Sequence, residues 1–453
     1  MAPRNPYSFA PMVAVTSLRA RSYRISFLVA LSVAISLFLF WRGSAHIEVQ
    51  DWPQEPPAQP SARDARCIDF PDPGNIAIAV KTGATEAVEK IPVLMRTSLQ
   101  CAENVMIFSD LEQDVAGYHL YDALANVSES AMEGNPDFDF YKKLKEAEKY
   151  GQIEKMMTGS NDPRKPSNMA AWTLDKYKQL HVLEDLYAEY PDKDWYLMID
   201  ADSYIVWHNL LTWLKRMPNP RRNKLYIGSP TQIDGKLFAH GGSGIFLSQA
   251  AMHEFAVVNK GIASKWDKPM KEHCCGDFII GVALKEMGID LIHAWPTING
   301  EKPLTLPFGP SHWCQPFITM HHVGPEEMND IANFELSREH KKKPLIFAEL
   351  YTAFVKGILP DKLDKWDNQC GDEKTDVDSY ETCQKKCEDD EKCFQFNYDG
   401  KQCAMCHSIH LGYSMPSEGE PGMRSGWLVG RINEWVNKQP PCKPEFLKIK
   451  APN

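Results

Sequence analysis

Two acids one residue apart, Asp200 and Asp202, close an apolar run from Trp195 to Ile199. The run has the length and composition of a buried strand, so the acids fall at a strand's carboxyl end, where ligands gather in open α/β sheets. A carboxylate pair there can hold a hard divalent cation that also touches a diphosphate. The same spacing also begins an ordinary turn, because an Asp side chain bonds to the backbone that follows it. Taken alone, the spacing leaves both readings open.

Four other segments carry residues of chemical interest. Lys81-Thr82-Gly83 makes a tight turn after an apolar run, Ile76 to Val80, and its amides can approach a phosphate or merely connect a strand to a helix. Gly241-Gly242-Ser243-Gly244 precedes a short apolar run in which the backbone can come close to a ligand or to another strand. Asp277 opens a helical pattern after Cys274-Cys275-Gly276, as a cap or as a reactive acid. His321 and His322 end a final strand pattern that starts at Phe317, and strand alternation predicts that their rings point oppositely.

The elements that must position these groups alternate between strand and helix. After Ile76 to Val80 comes a helix interrupted or restarted at Pro92, then a second strand from Val105 to Phe108. Two such units in succession predict a parallel sheet with crossover helices, hence an α/β domain. A charged helix is expected around Phe140 to Tyr150. Leu174, Tyr177, Leu180, Leu183 and Tyr190 recur at helical spacing, which predicts an amphipathic helix handing the chain to the run at Trp195. Its Asp175 and Lys176 lie near the sheet edge and read as surface residues or as residues facing a ligand. Further expectations are a helix from Leu210 to Met217 and a strand from Leu225 to Ile227.

Together these segments resemble glycosyltransferase family 31, in particular its core 1 β1,3-galactosyltransferase and Fringe branch. The resemblance runs through most of residues 75 to 330 and rests on the order of the motifs. It implies a GT-A, Rossmann-like nucleotide-binding fold, a UDP-sugar donor, Mn²⁺, a glycan or glycoprotein acceptor, and inversion to a β1,3-linked product carrying galactose or N-acetylglucosamine. By the same resemblance, Asp202 and His321 look like metal ligands, with Asp200 supporting the metal or the ribose and His322 as the alternative imidazole. Thr82, Gly83, Asp200, Ala201, Gly241 and Gly242 fall at donor-binding positions, and Asp277 at that of the general base. Two positions depart from the family: Ala201 stands for a central Asp, and Gly276 for a Glu. The second departure keeps a degenerate carbohydrate-binding or scaffold protein in view. Trp295 and Trp313 read as packing, or as platforms for sugar faces.

The net charge of -10 and the absence of a long basic stripe exclude a nucleic-acid binder. Residues 1 to 24 include Arg19, Arg21 and Arg24, and an unbroken apolar run follows from Ile25 to Trp41, long enough to span a bilayer. The cations predict a cytosolic tail, a signal anchor at 25–41 and a lumenal remainder, as in a single-pass type II Golgi membrane protein, with a cleaved signal peptide as the other reading of the run. A Pro-rich stem is expected over 42–70 and a catalytic domain over 71–366. Asn126-Val127-Ser128 is a glycosylation sequon.

Seven of the twelve cysteines follow residue 369, which predicts a small disulfide-stapled α+β module in an oxidising compartment. Its span, 367–445, resembles a PAN/Apple domain. That resemblance implies pairs Cys370 with Cys442, Cys387 with Cys393, and Cys383 with Cys403 or Cys406, leaving one thiol odd. In the catalytic part the expected pairs are Cys67 with Cys101, and Cys274 or Cys275 with Cys314.

Overall fold

A computed structural model describes Cys67 and residues 75–156, 169–340, 343–415 and 422–449. The cytosolic tail, the anchor at 25–41 and, Cys67 apart, the stem lie outside these residues. Among the described residues no helix is long and apolar enough to cross a membrane. The catalytic and C-terminal parts belong to one compact unit starting at Ala62.

The centre is an eight-stranded sheet. Its strands are β1 (Ile76–Lys81), β2 (Asn104–Ser109), β3 (Gln113–Val115), β4 (Tyr118–Asp122), β5 (Trp195–Asp200), β6 (Tyr226–Gly228), β7 (Ile245–Ser248) and β8 (Leu291–His293). Their order is β8-β6-β7-β5-β1-β2-β4-β3. β5, β1, β2 and β4 run parallel, as strand and helix alternation predicts. β7 corrects the all-parallel expectation, because it runs antiparallel to both β5 and β6. It is reached through the hairpin Pro230–Ile233 and Lys236–Ala239 instead of a crossover helix, so the chain enters from the other end.

Strand alternation sends Ile76, Ile78, Val80, Leu197 and Ile199 into one core, and Ala77, Ala79, Tyr196 and Met198 into a second on the other face. Both faces of the sheet are therefore buried, which is why β1 and β5 read as continuous apolar runs. On the first face lies α1 (Ala87–Arg96), which passes through Pro92 without breaking. The second face is covered by α2 (Met169–Glu189) and α3 (Gly276–Glu286).

The structure corrects the amphipathic reading of α2. Its middle is buried on every side, and Lys176, Lys178, Gln179 and His181 are buried along with Leu180 and Leu183. The charged and imidazole groups are paired: Lys176 reaches Asp137 at 2.9 Å, His181 reaches Asp267 at 2.8 Å, and Lys178 is in direct contact with Asp110, while the Gln179 amide donates to Asp175 at 2.8 Å. A helix enclosed by protein all round cannot leave such groups unpartnered.

The C-terminal part holds a five-stranded antiparallel sheet and the helix Tyr380–Asp389. The helix is joined to the sheet by Cys383–Cys403, and to the loop after it by Cys387–Cys393, as expected. Cys67–Cys101 also forms as expected. Three expectations fail. Cys370 pairs with Cys406, because the register that sets Glu373 opposite Met405 brings it there. Cys442 pairs with Cys314, since Trp435 packs edge-to-face on Trp313 with ring centroids 4.9 Å apart and the chain returns over the catalytic part. Cys274 and Cys275, one of them expected to reach Cys314, pair with each other, so no odd thiol remains.

Candidate active site

At the carboxyl ends of β1 and β5 the parallel register sets Lys81 beside Asp200. The chain then turns, with Ser203 N–H donating to the Asp200 carbonyl at 3.0 Å, and Asp202 projects from that turn. The turn reading of the acid pair is thus realised, and the turn is what aims the carboxylates. Ala201 N–H continues the ladder to the Lys81 carbonyl at 2.9 Å, while its methyl joins the first core. A carboxylate at that position would be buried among apolar side chains, which accounts for the alanine.

His321 meets the acids from a separate segment. The expected strand Phe317 to His321 shrinks to Thr319–Met320, paired with Tyr204–Ile205 outside the main sheet. Beyond Met320 the chain leaves the strand, and His322 takes a left-handed φ of 59°. Strand alternation therefore does not apply: the two imidazoles lie side by side, with ring centroids 3.9 Å apart. Nε2 of His321 lies 3.1 Å from Asp202 and 3.6 Å from Asp200. Ligand atoms of Asp202, His321 and His322 all fall within 4.8 Å of one another.

These groups shape each other's charge. Burial disfavours an imidazolium at His321, but Asp202 and Asp200 outweigh it and raise its pKa to about 9. Burial would raise the pKa of Asp200, yet Lys81 and His321 hold it well below the carboxylate range; His321 and Lys90 do the same for Asp202. Burial and the neighbouring cation push His322 down to about 4, leaving it neutral. The Asp202 carboxylate and two imidazoles around a single point, with Asp200 beside them, suit a divalent cation, which would replace the proton that His321 now shares with the acids.

Asp200, Asp202, His321 and His322 line a cleft of about 750 Å³, together with Thr82, Gly83 and Ala201. Its cationic groups were not singled out as site residues in the sequence. Lys81 bridges Asp175 at 2.9 Å and Asp200 at 2.8 Å, and Lys90 lies 3.3 Å from Asp202 and 2.9 Å from Glu86. The signals for them were present: Lys81 ends β1 one residue before Thr82, and Lys90 follows Glu86 at an i, i+4 helical spacing. Asp175, read as surface or ligand-facing, faces the cleft, whereas Lys176 is buried.

Gly241 and Gly242 do not line the cleft but support it. A β-carbon on Gly242 would overlap the His321 ring, and Gly241 N–H donates to Asp277 Oδ2 at 2.9 Å. Asp277 lies in the first turn of α3, where its other oxygen accepts from Phe278 N–H at 2.8 Å. Burial raises its pKa even though those two N–H groups pull it down, the reverse of what its helix position alone predicts. Gly276 has a steric reason: a β-carbon there would stand 2.7 Å from the Lys176 carbonyl and 2.8 Å from Gln179, so α2 occupies the space a larger side chain needs. Trp313 is buried against Tyr351, and Trp295 packs edge-on to His312 away from the cleft.

A profile of Fringe-like proteins matches residues 72–298, half of the chain and all of the segment that carries the acid pair, the glycine loop and Asp277. The chain belongs to the Fringe-like family. It therefore carries a Fringe-like glycosyltransferase domain of α/β, GT-A type, a class that typically uses a divalent metal and binds a sugar donor and an acceptor. Among solved structures, a glycosyltransferase involved in glycosylation of the major capsid of PBCV-1 aligns at 12% identity. That alignment covers 56% of this chain and 98% of the other, with a TM-score of 0.28. The galactosyltransferase LgtC, in complex with donor and acceptor sugar analogues, aligns at 11% identity over 57% and 95%, with a TM-score of 0.30. Neither alignment transfers residue roles to this Fringe-like chain. No curated protein matches it.

Proposed function

We propose that this Fringe-like protein is a metal-dependent, inverting glycosyltransferase. In this reading it moves galactose or N-acetylglucosamine from a UDP-sugar to a hydroxyl of a glycan or glycoprotein, in a β1,3 linkage. The observation that carries the reading is the meeting of Asp200, Asp202, His321 and His322 in one cleft with Lys81 and Lys90. Mixed carboxylate and imidazole donors favour Mn²⁺ over Mg²⁺. Asp202 and His321 would hold the ion, with Asp200 and His322 beside them. When bound, it supplies charge neutralisation to a departing diphosphate.

The chain's own residues account for the rest. Lys81 and Lys90, both kept charged by adjacent carboxylates, bring two cationic groups to the cleft wall. Thr82 and Gly83 line the cleft beside Lys81, where a phosphate would lie. Asp277 takes the proton from the acceptor hydroxyl as that oxygen bonds to the anomeric carbon and the bond to UDP breaks. Its raised pKa makes it a stronger base than an exposed carboxylate. The hydrogen bond to Gly241 N–H fixes its position.

The same reading places the protein in the Golgi membrane as a single-pass type II chain. Support comes from the apolar run at 25–41 behind Arg19, Arg21 and Arg24, from six disulfides, and from Asn126 of the sequon, which is exposed. The tail is read as a PAN/Apple-like module on the strength of its stapled helix and small sheet, although its end cysteines are not joined to each other. A screen of UDP-sugars for Mn²⁺-dependent hydrolysis tests the activity and identifies the donor. Failure of every sugar nucleotide, together with no calorimetric binding of UDP and Mn²⁺, would leave a scaffold as the better reading.

A further inference from the structure

The cleft is not built by the family-matched segment alone. Gln369 and Tyr413, both from the C-terminal part, line it alongside Glu301, Lys302 and Thr305. They are held there by the backbone. Asp367 and Tyr413 are register partners in a two-stranded ladder. One Asp367 oxygen accepts from Gln369 N–H at 2.7 Å, and the other from the Tyr413 hydroxyl at 3.3 Å. On the catalytic side, the Leu304 carbonyl accepts from both Leu411 N–H at 3.0 Å and Gly412 N–H at 2.8 Å, one residue before Tyr413. Phe308 and Ile409 form a further bridge, and Cys370–Cys406 closes the loop directly behind Gln369. One carboxylate thus orients both residues, and the loop leading toward the His321 strand anchors them.

Their chemistry differs from that of the rest of the cleft. Lys81 and Lys90 suit phosphate charge and the acids suit a cation, whereas a carboxamide and a phenol suit neutral hydroxyls. Oε1 of Gln369 is buried and accepts no hydrogen bond among the described residues. A buried acceptor of that kind, left unpaired in a residue that lines the cleft, is costly unless a ligand donates to it. Gln369 also holds a left-handed φ of 58°, unusual for its type and a sign that its placement is enforced by its surroundings. Position decides which sugar is concerned. Gln369 and Tyr413 share one cavity with Thr82, Gly83 and the acid pair, whereas Asp277, which must face the acceptor, does not line that cavity.

We propose that Gln369 and Tyr413 bind hydroxyls of the donor's pyranose ring, so that the C-terminal part supplies the sugar-selecting wall of the cleft; this rests on the sugar-nucleotide reading above. Both residues are positioning and specificity groups, with no part in bond making.

The test uses the full-length chain in detergent with Mn²⁺, comparing wild type with Gln369→Asn and Tyr413→Phe. Asn tolerates the left-handed backbone while withdrawing the amide by one methylene, and Phe keeps the ring. Two quantities are read: calorimetric affinity for UDP, and kcat/KM for hydrolysis of UDP-galactose and UDP-N-acetylglucosamine. Both variants are expected to bind UDP within about twofold of wild type, while kcat/KM for the better sugar nucleotide falls about tenfold and the preference between the two sugars narrows. Unchanged kcat/KM and preference in both variants would overturn the proposal. A parallel loss of UDP affinity would also overturn it, because the wall would then hold the nucleotide. If wild-type protein binds neither UDP nor a sugar nucleotide, the donor reading itself has failed and this inference fails with it. That outcome is visible before any variant is made.

Discussion

Gly242 lies directly against the imidazole of His321: a β-carbon there would stand 2.1 Å from Cε1 and 2.2 Å from Nε2. No rotamer change can relieve such an overlap while His321 stays beside Asp202 at 3.1 Å. Gly242→Ala is therefore expected to displace the ring and to cut Mn²⁺-dependent sugar-nucleotide hydrolysis about a hundredfold. Calorimetry should record the same loss as weakened UDP and Mn²⁺ binding, and wild-type activity in this variant would remove His321 from the site.

Removing both proposed ligands, Asp202→Ala with His321→Ala, should abolish the dependence on added Mn²⁺. Hydrolysis should fall about a thousandfold or more. The assignment would not survive UDP release at the wild-type rate with a normal metal titration.

Asp277→Asn keeps the side chain's shape and one of its two contacts with the N–H groups of Gly241 and Phe278, but takes away the capacity to accept a proton. Transfer is expected to fall at least about a hundredfold while UDP affinity changes little. If transfer kinetics stay at wild-type level, Asp277 serves α3 and the glycine loop as a brace only.

Gly276→Ala probes the close approach of α2 and α3, where the added methyl meets the Lys176 carbonyl and Gln179. Overpacking of this kind costs about 1 to 3 kcal/mol, so the melting temperature should drop by several degrees. Gly276→Glu, which restores the family residue, should be worse than Ala, because its longer side chain has no cavity to enter. A rise in melting temperature with Glu would contradict the packing account.

Glu335 gives the fold a pH dependence. Burial raises its pKa to about 7, against the Tyr204 hydrogen bond at 2.6 Å and the charge of Arg338. A folded-state pKa above the unfolded value means that the folded chain holds the extra proton, so stability is fully present below pH ~4.5 and declines as pH rises to about 7. Glu335→Gln keeps an oxygen for Tyr204 and removes the titration. At pH 8 it should be more stable than wild type by up to about 3 kcal/mol, and near pH 4 the two should coincide. Denaturant melts at the two pH values decide this, and equal stabilities at pH 8 would show Glu335 already ionised at no cost.

The sequence by itself determined strands β1, β2, β5, β6 and β7, the acid pair at the end of β5 and the order of motifs that marks the family, whereas β3, β4 and β8 carry no such apolar signal. These properties are local, because a buried strand must be an apolar run and a carboxylate pair must interrupt it. Asp200, Asp202 and Asp277 could be singled out for the same reason: an acid stands out against apolar neighbours. Only the tertiary structure decided what the acids meet. Lys81 and Lys90 became site residues through strand register and a helix turn, and His322 joined His321 because a left-handed residue ended the strand early. The reversal of β7 and the pairing of Cys314 with Cys442 depend on contacts between distant segments, which no local pattern encodes. Gly276 shows the limit most clearly. In the chain it is a missing carboxylate; in the fold it is where the backbone of α2 already fills the space. Packing between elements far apart in sequence, more than residue type, settled that point.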